Sequence, residues 1–75
     1  MPISRSQIAS LIAEHLSELL ASEVPVKIDD NFFDLGGDSL VAMEFTAFMS
    51  RTLNRSVPVV LIYDEPLLAD YIDAL

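Results

Sequence analysis

Between Ile8 and Leu20, apolar side chains fall at Ile8, Leu11, Ile12, Leu16, Leu19 and Leu20, the spacing of one helix face. The same period returns at Val41, Phe45, Phe48, Met49 and Thr52. It returns again at Leu67, Leu68, Tyr71, Ile72 and Leu75. A chain of 75 residues makes one domain at most, so these faces must bury one another. With no cysteine, neither a disulfide scaffold nor a thiolate zinc site can take the place of that core, and a cysteine nucleophile is excluded. A domain this small hides only about 60% of the surface of its unfolded chain. Its expected radius of gyration is roughly 11–12 Å. Little interior is left for a substrate pocket of several hundred Å³, which favours a binding or carrier module over a self-contained enzyme.

The punctuation supports all-α architecture. Ser4 followed by Gln7 is a capping-box start, and the first helix is expected over residues 4–22, with Glu14 and Glu18 on its outer face. Val24-Pro25-Val26 ends it, because a residue before proline avoids the helical basin. A long structured loop over residues 23–37 holds Val26, Ile28, Phe32, Phe33 and Leu35; it is expected to pack on the helices, with a helical turn at 30–33. The second helix starts at Asp38 or Ser39, runs to about Leu53 and is closed by Asn54 and Arg55. Beside its main apolar face, Leu40, Met43 and Ala47 form a narrower stripe. Residues 57–63 have the β-branched content of a strand, but no partner strand is visible, so a short helical turn after Pro58 is expected. Pro66 opens the last helix, capped by Asp64 or Glu65. The sum is a three- to four-helix bundle forming a single domain over residues 1–75.

The charge narrows the partners. Twelve acids against Arg5, Lys27, Arg51 and Arg55 give a net charge of −8, which argues against nucleic-acid binding and favours partners with basic surfaces. Acidity of this size also keeps an apolar small protein soluble. No apolar run approaches the ~20 residues of a membrane span. Met1-Pro2-Ile3-Ser4-Arg5 lacks the basic and apolar regions of a secretory leader, so a cytoplasmic setting is expected.

The chemistry concentrates in Asn31-Phe32-Phe33-Asp34-Leu35-Gly36-Gly37-Asp38-Ser39-Leu40. Two glycines deliver the chain into a helix start, and a serine sits in the first turn. Unpaired N–H groups and a partial positive charge make such a terminus favourable for phosphate. By position alone, Asp38 and Ser39 are equally well ordinary capping residues.

This stretch resembles the phosphopantetheine attachment site of acyl and peptidyl carrier proteins, most closely the peptidyl and polyketide types. Phe32 and Phe33 stand where that family carries an aromatic pair, and residues 61–72 resemble its third-to-fourth helix junction. The likeness covers nearly the whole chain. It departs at Leu67, where the family often has threonine after the proline, which leaves the start of the last helix open. The resemblance implies a bundle of the acyl-carrier type that is not itself catalytic. A phosphopantetheinyl transferase places 4'-phosphopantetheine on Ser39, with Gly37 and Asp38 beside it. The arm's thiol then carries acyl, aminoacyl or peptidyl groups as thioesters in nonribosomal peptide or polyketide synthesis. Asp38 is expected to cap the helix and to help the transferase hold its metal and cofactor. Implied partners are an adenylating or other loading enzyme and then condensing, tailoring or thioesterase enzymes, met by a monomeric carrier. Leu40, Met43, Ala47 and Glu44 are the implied docking residues; the alternative for Leu40 and Met43 is packing under the loop. Glu44 is the only acid inside the second helix, unlike the strongly acidic helix of dissociated fatty-acid carriers.

Three rival readings remain. An unmodified helical interaction module would not need the serine motif. Gly37-Asp38-Ser39-Leu40 also spells the signature of GDSL-type serine hydrolases, but the only histidine is His15, upstream on the first helix. Asp29, Asp30, Asn31, Asp34 and Asp38 cluster without the spacing of a calcium loop.

Overall fold

The computed structural model describes residues 3–75, so Met1-Pro2 of the expected leaderless start lie outside the described residues. Four helices follow in order: α1, Arg5–Leu19; α2, Ser39–Leu53; α3, Val60–Asp64; and α4, Leu68–Ala74. The Cα radius of gyration is 11.1 Å. Among the described residues, the only β pairing is an isolated bridge between Asn31 and Leu67.

α1 begins as the sequence predicts. Ser4 Oγ accepts from Gln7 N at 3.2 Å, and Gln7 Oε1 accepts from Ser4 N at 2.9 Å. Its end differs. The helix stops at Leu19, well before Pro25, because Ala21 turns left-handed at φ 50°. Ala21 N then donates to Glu18 O and Ser22 N to Ser17 O, the paired bonds of a Schellman close. Asn54 closes α2 in the same way, with φ 53° and Arg55 N donating to Ser50 O.

The helical turn expected at residues 30–33 forms at residues 31–35, where Leu35 N donates to Asn31 O at 3.1 Å and the Asn31 side chain caps the turn. Asn31 Oδ1 accepts from Phe33 N at 2.9 Å and from Asp34 N at 3.2 Å. The flanking backbone is committed elsewhere: Phe32 N donates to Pro66 O, while Asp30 O and Ile28 O accept from Leu68 N and Ala69 N. These bonds also revise the start of α4. Pro66 does not open the helix, and neither Asp64 nor Glu65 caps it; the N-cap is Leu67, which has no side-chain cap. Loop carbonyls satisfy the first N–H groups of α4 instead, so a capping side chain is unnecessary.

The core is centred on Ile12, Leu16, Phe32, Phe45, Met49 and Tyr71, all at most 1% exposed. Its aromatic spine runs from Phe32 to Phe45 (ring centroids 5.8 Å apart) and on to Tyr71 (5.4 Å). The buried face of α2 is Ala42, Phe45, Thr46 and Met49, rotated from the expected stripe; Val41, Phe48 and Thr52 are half-buried. Phe48 stacks on the His15 ring, centroids 3.8 Å apart and planes at 4°.

Burial lowers the pKa of His15 below its ordinary value; Glu18 opposes the shift, Arg51 adds to it and Glu44 opposes it. The fold therefore prefers the neutral imidazole. As pH falls from the unfolded-state value of about 6.5 toward the folded value, the unfolded chain binds more protons and the fold loses stability. His15→Phe keeps an aromatic stack without a titrating group. In melting curves taken from pH 7 downward, the wild type should lose stability relative to this variant below about pH 6.5. A constant difference across the range would contradict the assignment.

Candidate functional site

The second helix reaches its first turn through two glycines with different duties. Gly36 has φ 100°, a conformation that side chains resist, with open space around its missing Cβ. Gly37 is needed for room: a Cβ there would lie 2.3 Å from Phe32 Cε2 and 2.6 Å from Cδ2. Phe32 is fully buried, so the core ring and the approach to α2 are in direct contact. Asp38 then caps the helix from an extended conformation, its Oδ1 accepting from Val41 N at 3.0 Å.

Ser39 is the first residue of α2 and is exposed. Because the cap is Asp38, the serine hydroxyl is free of capping duty. Its Oγ accepts a hydrogen bond at 3.3 Å from Tyr63 Oη, on α3. Tyr63 in turn leans on Phe33, ring centroids 5.3 Å apart, and Phe33 meets Phe32 edge-on at 5.1 Å. A surface hydroxyl is thus linked through three rings to the core.

Leu40 and Met43 are 65% and 62% exposed, which removes the alternative that they pack under the loop. Ala47 and Glu44 are exposed on the same face of α2. On the α3 side, Val60 and Tyr63 are 54% and 45% exposed. An apolar surface from two helices therefore flanks the serine.

Tyr63 and the exposed end of α3 do not stand out in the sequence. One signal is available: residues 57–63 contain more apolar side chains than a single helical turn can bury, and here only Val57 and Ile62 are buried. The chemistry of the tyrosine's position depends on a contact 24 residues away. The hydrolase reading finds no support in the geometry. His15 stacks on Phe48, nine residues beyond Ser39 on α2 and so roughly 13 Å along the helix axis. Among the described residues, no group of three His, Asp or Glu side chains is placed to hold a metal ion. No helix of the described residues is long and apolar enough to cross a membrane.

Residues 7–75 match the family model described as "Phosphopantetheine attachment site". The chain is 45% identical over 71 residues to cyclosporin synthetase simA of Tolypocladium inflatum, a match covering 95% of this chain and, to the nearest per cent, 0% of the synthetase. It is 42% identical over 71 residues to nonribosomal peptide synthetase kk1B of Curvularia clavata, covering 95% of this chain and again 0% of that protein. The chain therefore spans only a very small part of the relatives it matches. Its backbone superposes on BlmI, a type-II acyl carrier protein from Streptomyces verticillus involved in bleomycin biosynthesis, with a TM-score of 0.84 over 93% of this chain and 83% of that one. At 21% identity that likeness speaks for the fold alone: an all-helical, acyl-carrier bundle. The chain belongs to the phosphopantetheine attachment-site family, whose members carry 4'-phosphopantetheine covalently. Its role is that of a carrier.

Proposed function

We propose that Ser39 is the attachment point of the arm and that residues 1–75 act as one carrier domain in nonribosomal peptide synthesis, in the cytoplasm and as a monomer. The observation that carries this reading is an exposed serine hydroxyl at the first position of a helix whose cap is supplied by its neighbour. The residues fit the group. The helix N-terminus favours an anion, and the Asp38 carboxylate already accepts from Val41 N. In the transfer, Ser39 Oγ forms a bond to the pantetheine-side phosphorus of coenzyme A. The pyrophosphate P–O bond breaks, adenosine bisphosphate leaves, and the serine proton passes to a base of the transferase. The carrier supplies the nucleophile and its position, and the partner supplies the catalysis. Covalent gain of the arm from coenzyme A, with a broad-specificity phosphopantetheinyl transferase present, tests the reading.

Identity to peptide synthetases favours aminoacyl and peptidyl cargo over acyl cargo, with an adenylating enzyme upstream and condensing, tailoring or thioesterase enzymes downstream. Leu40, Met43, Ala47 and Glu44 form the docking face of α2. Met43→Glu should change folding stability by no more than about 0.5 kcal/mol, since the side chain is already in water. It should raise the KM for the transferase and for an adenylating partner. A melting temperature that falls along with the activity would put Met43 in a structural role instead.

A further inference from the structure

A side chain from another helix, Tyr63, reaches Ser39: its Oη donates to Ser39 Oγ at 3.3 Å. The phenol is 45% exposed, yet it is not loosely held. Its ring rests on Phe33 at 5.3 Å, Phe33 rests edge-on against the buried Phe32, and the neighbouring Ile62 anchors α3 in the core. A braced hydroxyl aimed at a surface serine has no role in packing.

We propose that Tyr63 is a positioning residue for the phosphopantetheine arm, orienting the Ser39 hydroxyl before attachment and donating to a phosphodiester oxygen afterwards. The inference rests on Ser39 being the attachment point. A phenol and an alcohol can each donate and accept. With Tyr63 as donor, the serine keeps its own proton free to leave toward an external base, and one lone pair is fixed. Attachment turns Oγ into a bridging ester oxygen, a poor acceptor. The charge then sits on the two non-bridging oxygens, two bonds further out through phosphorus. The phenol's proton gains a better acceptor there, because hydrogen bonds to charged oxygens are shorter and stronger than neutral ones. The first segment of the arm is thereby held between the start of α2 and α3. The ring below it stays in place, since the tilted ring contact with Phe33 does not involve the hydroxyl.

Tyr63→Phe removes the hydroxyl and keeps the ring. Loading by the transferase should fall about three- to tenfold in kcat/KM, the range of one lost hydrogen bond. A reduced rate alone could also come from a phenol that touches the transferase, so the deciding readout is taken without that enzyme. Wild type and Tyr63→Phe are each driven to full loading with excess transferase, purified, and compared by ³¹P NMR. A phosphodiester resonance displaced in the variant, with unchanged melting of the two unloaded proteins, is the expected result. Coincident resonances would overturn the inference, whatever the loading rates. A wild type whose mass shows no arm, or whose arm maps away from Ser39, would instead overturn the attachment reading and this inference with it.

Discussion

Ser39→Ala should give a fully folded protein that cannot be loaded. The fold barely uses this hydroxyl. The helix cap is Asp38, and the serine's hydrogen bond is a 3.3 Å contact with an exposed tyrosine. Exposed changes away from caps and cores usually stay within about 0.5 kcal/mol, and alanine is at least as good a helix former as serine. The chemistry, by contrast, has no substitute. Among the described residues, Tyr63 is the hydroxyl that contacts Ser39, and a phenol braced on Phe33 is held in a different place from the nucleophile. Melting curves of the two proteins should coincide while transfer from a fluorescent coenzyme A analogue disappears. A variant that loads at a rate comparable with wild type would refute the assignment of Ser39.

Gly37→Ala should be the most damaging single-methyl change near the site. The added Cβ would stand 2.3, 2.6 and 2.7 Å from three atoms of the Phe32 ring. That ring is fully buried, meeting Phe33 edge-on at 5.1 Å and Phe45 at 5.8 Å, so it cannot swing into solvent. Forcing an extra carbon into such a core typically costs about 1–3 kcal/mol. In a domain of this size each kcal/mol lowers the melting temperature by roughly 4–8 °C. The approach to α2 carries the strain, so loading should slow as well. Phe32→Leu in the Gly37→Ala background should restore part of the loss, because it removes the atoms in the way. If Gly37→Ala melts like wild type, the close approach of Phe32 is not what demands glycine there. Gly36→Ala tests a different cause, since only its φ of 100° opposes a side chain.

What the sequence disclosed, and what it hid, divides along the range of the interactions. The capping box of Ser4 and Gln7, the start of α2 at Ser39 and its close at Asn54 are set by residues within a few positions of one another, and each is where the residue types place it. The same holds for Gly37, Asp38 and Ser39, which chain adjacency alone brings together. The displaced boundaries are those decided by distant backbone. α4 starts at Leu68, later than Pro66 implies, because Ile28 and Asp30 supply the carbonyls that a capping side chain would otherwise provide. The helical turn expected at 30–33 sits slightly later, over residues 31–35, beside backbone that pairs with residues 66–69. α1 ends early at an alanine in a left-handed conformation, which alanine's usual helical preference gives no reason to expect. The face of α2 sits part of a turn away from its expected setting, with Phe48 half-buried against His15. Tyr63 is illegible in the sequence for a related reason: its meaning comes from Ser39 and Phe33, neither near it along the chain.

Attachment of the arm to Ser39 is tested by mass spectrometry of the intact and proteolysed protein after incubation with coenzyme A and a broad-specificity phosphopantetheinyl transferase. Wild type should gain one phosphopantetheine, the modified peptide should carry it on Ser39, and Ser39→Ala should gain nothing. A folded wild type that gains no mass, or that carries the arm on any other residue, would contradict that attachment.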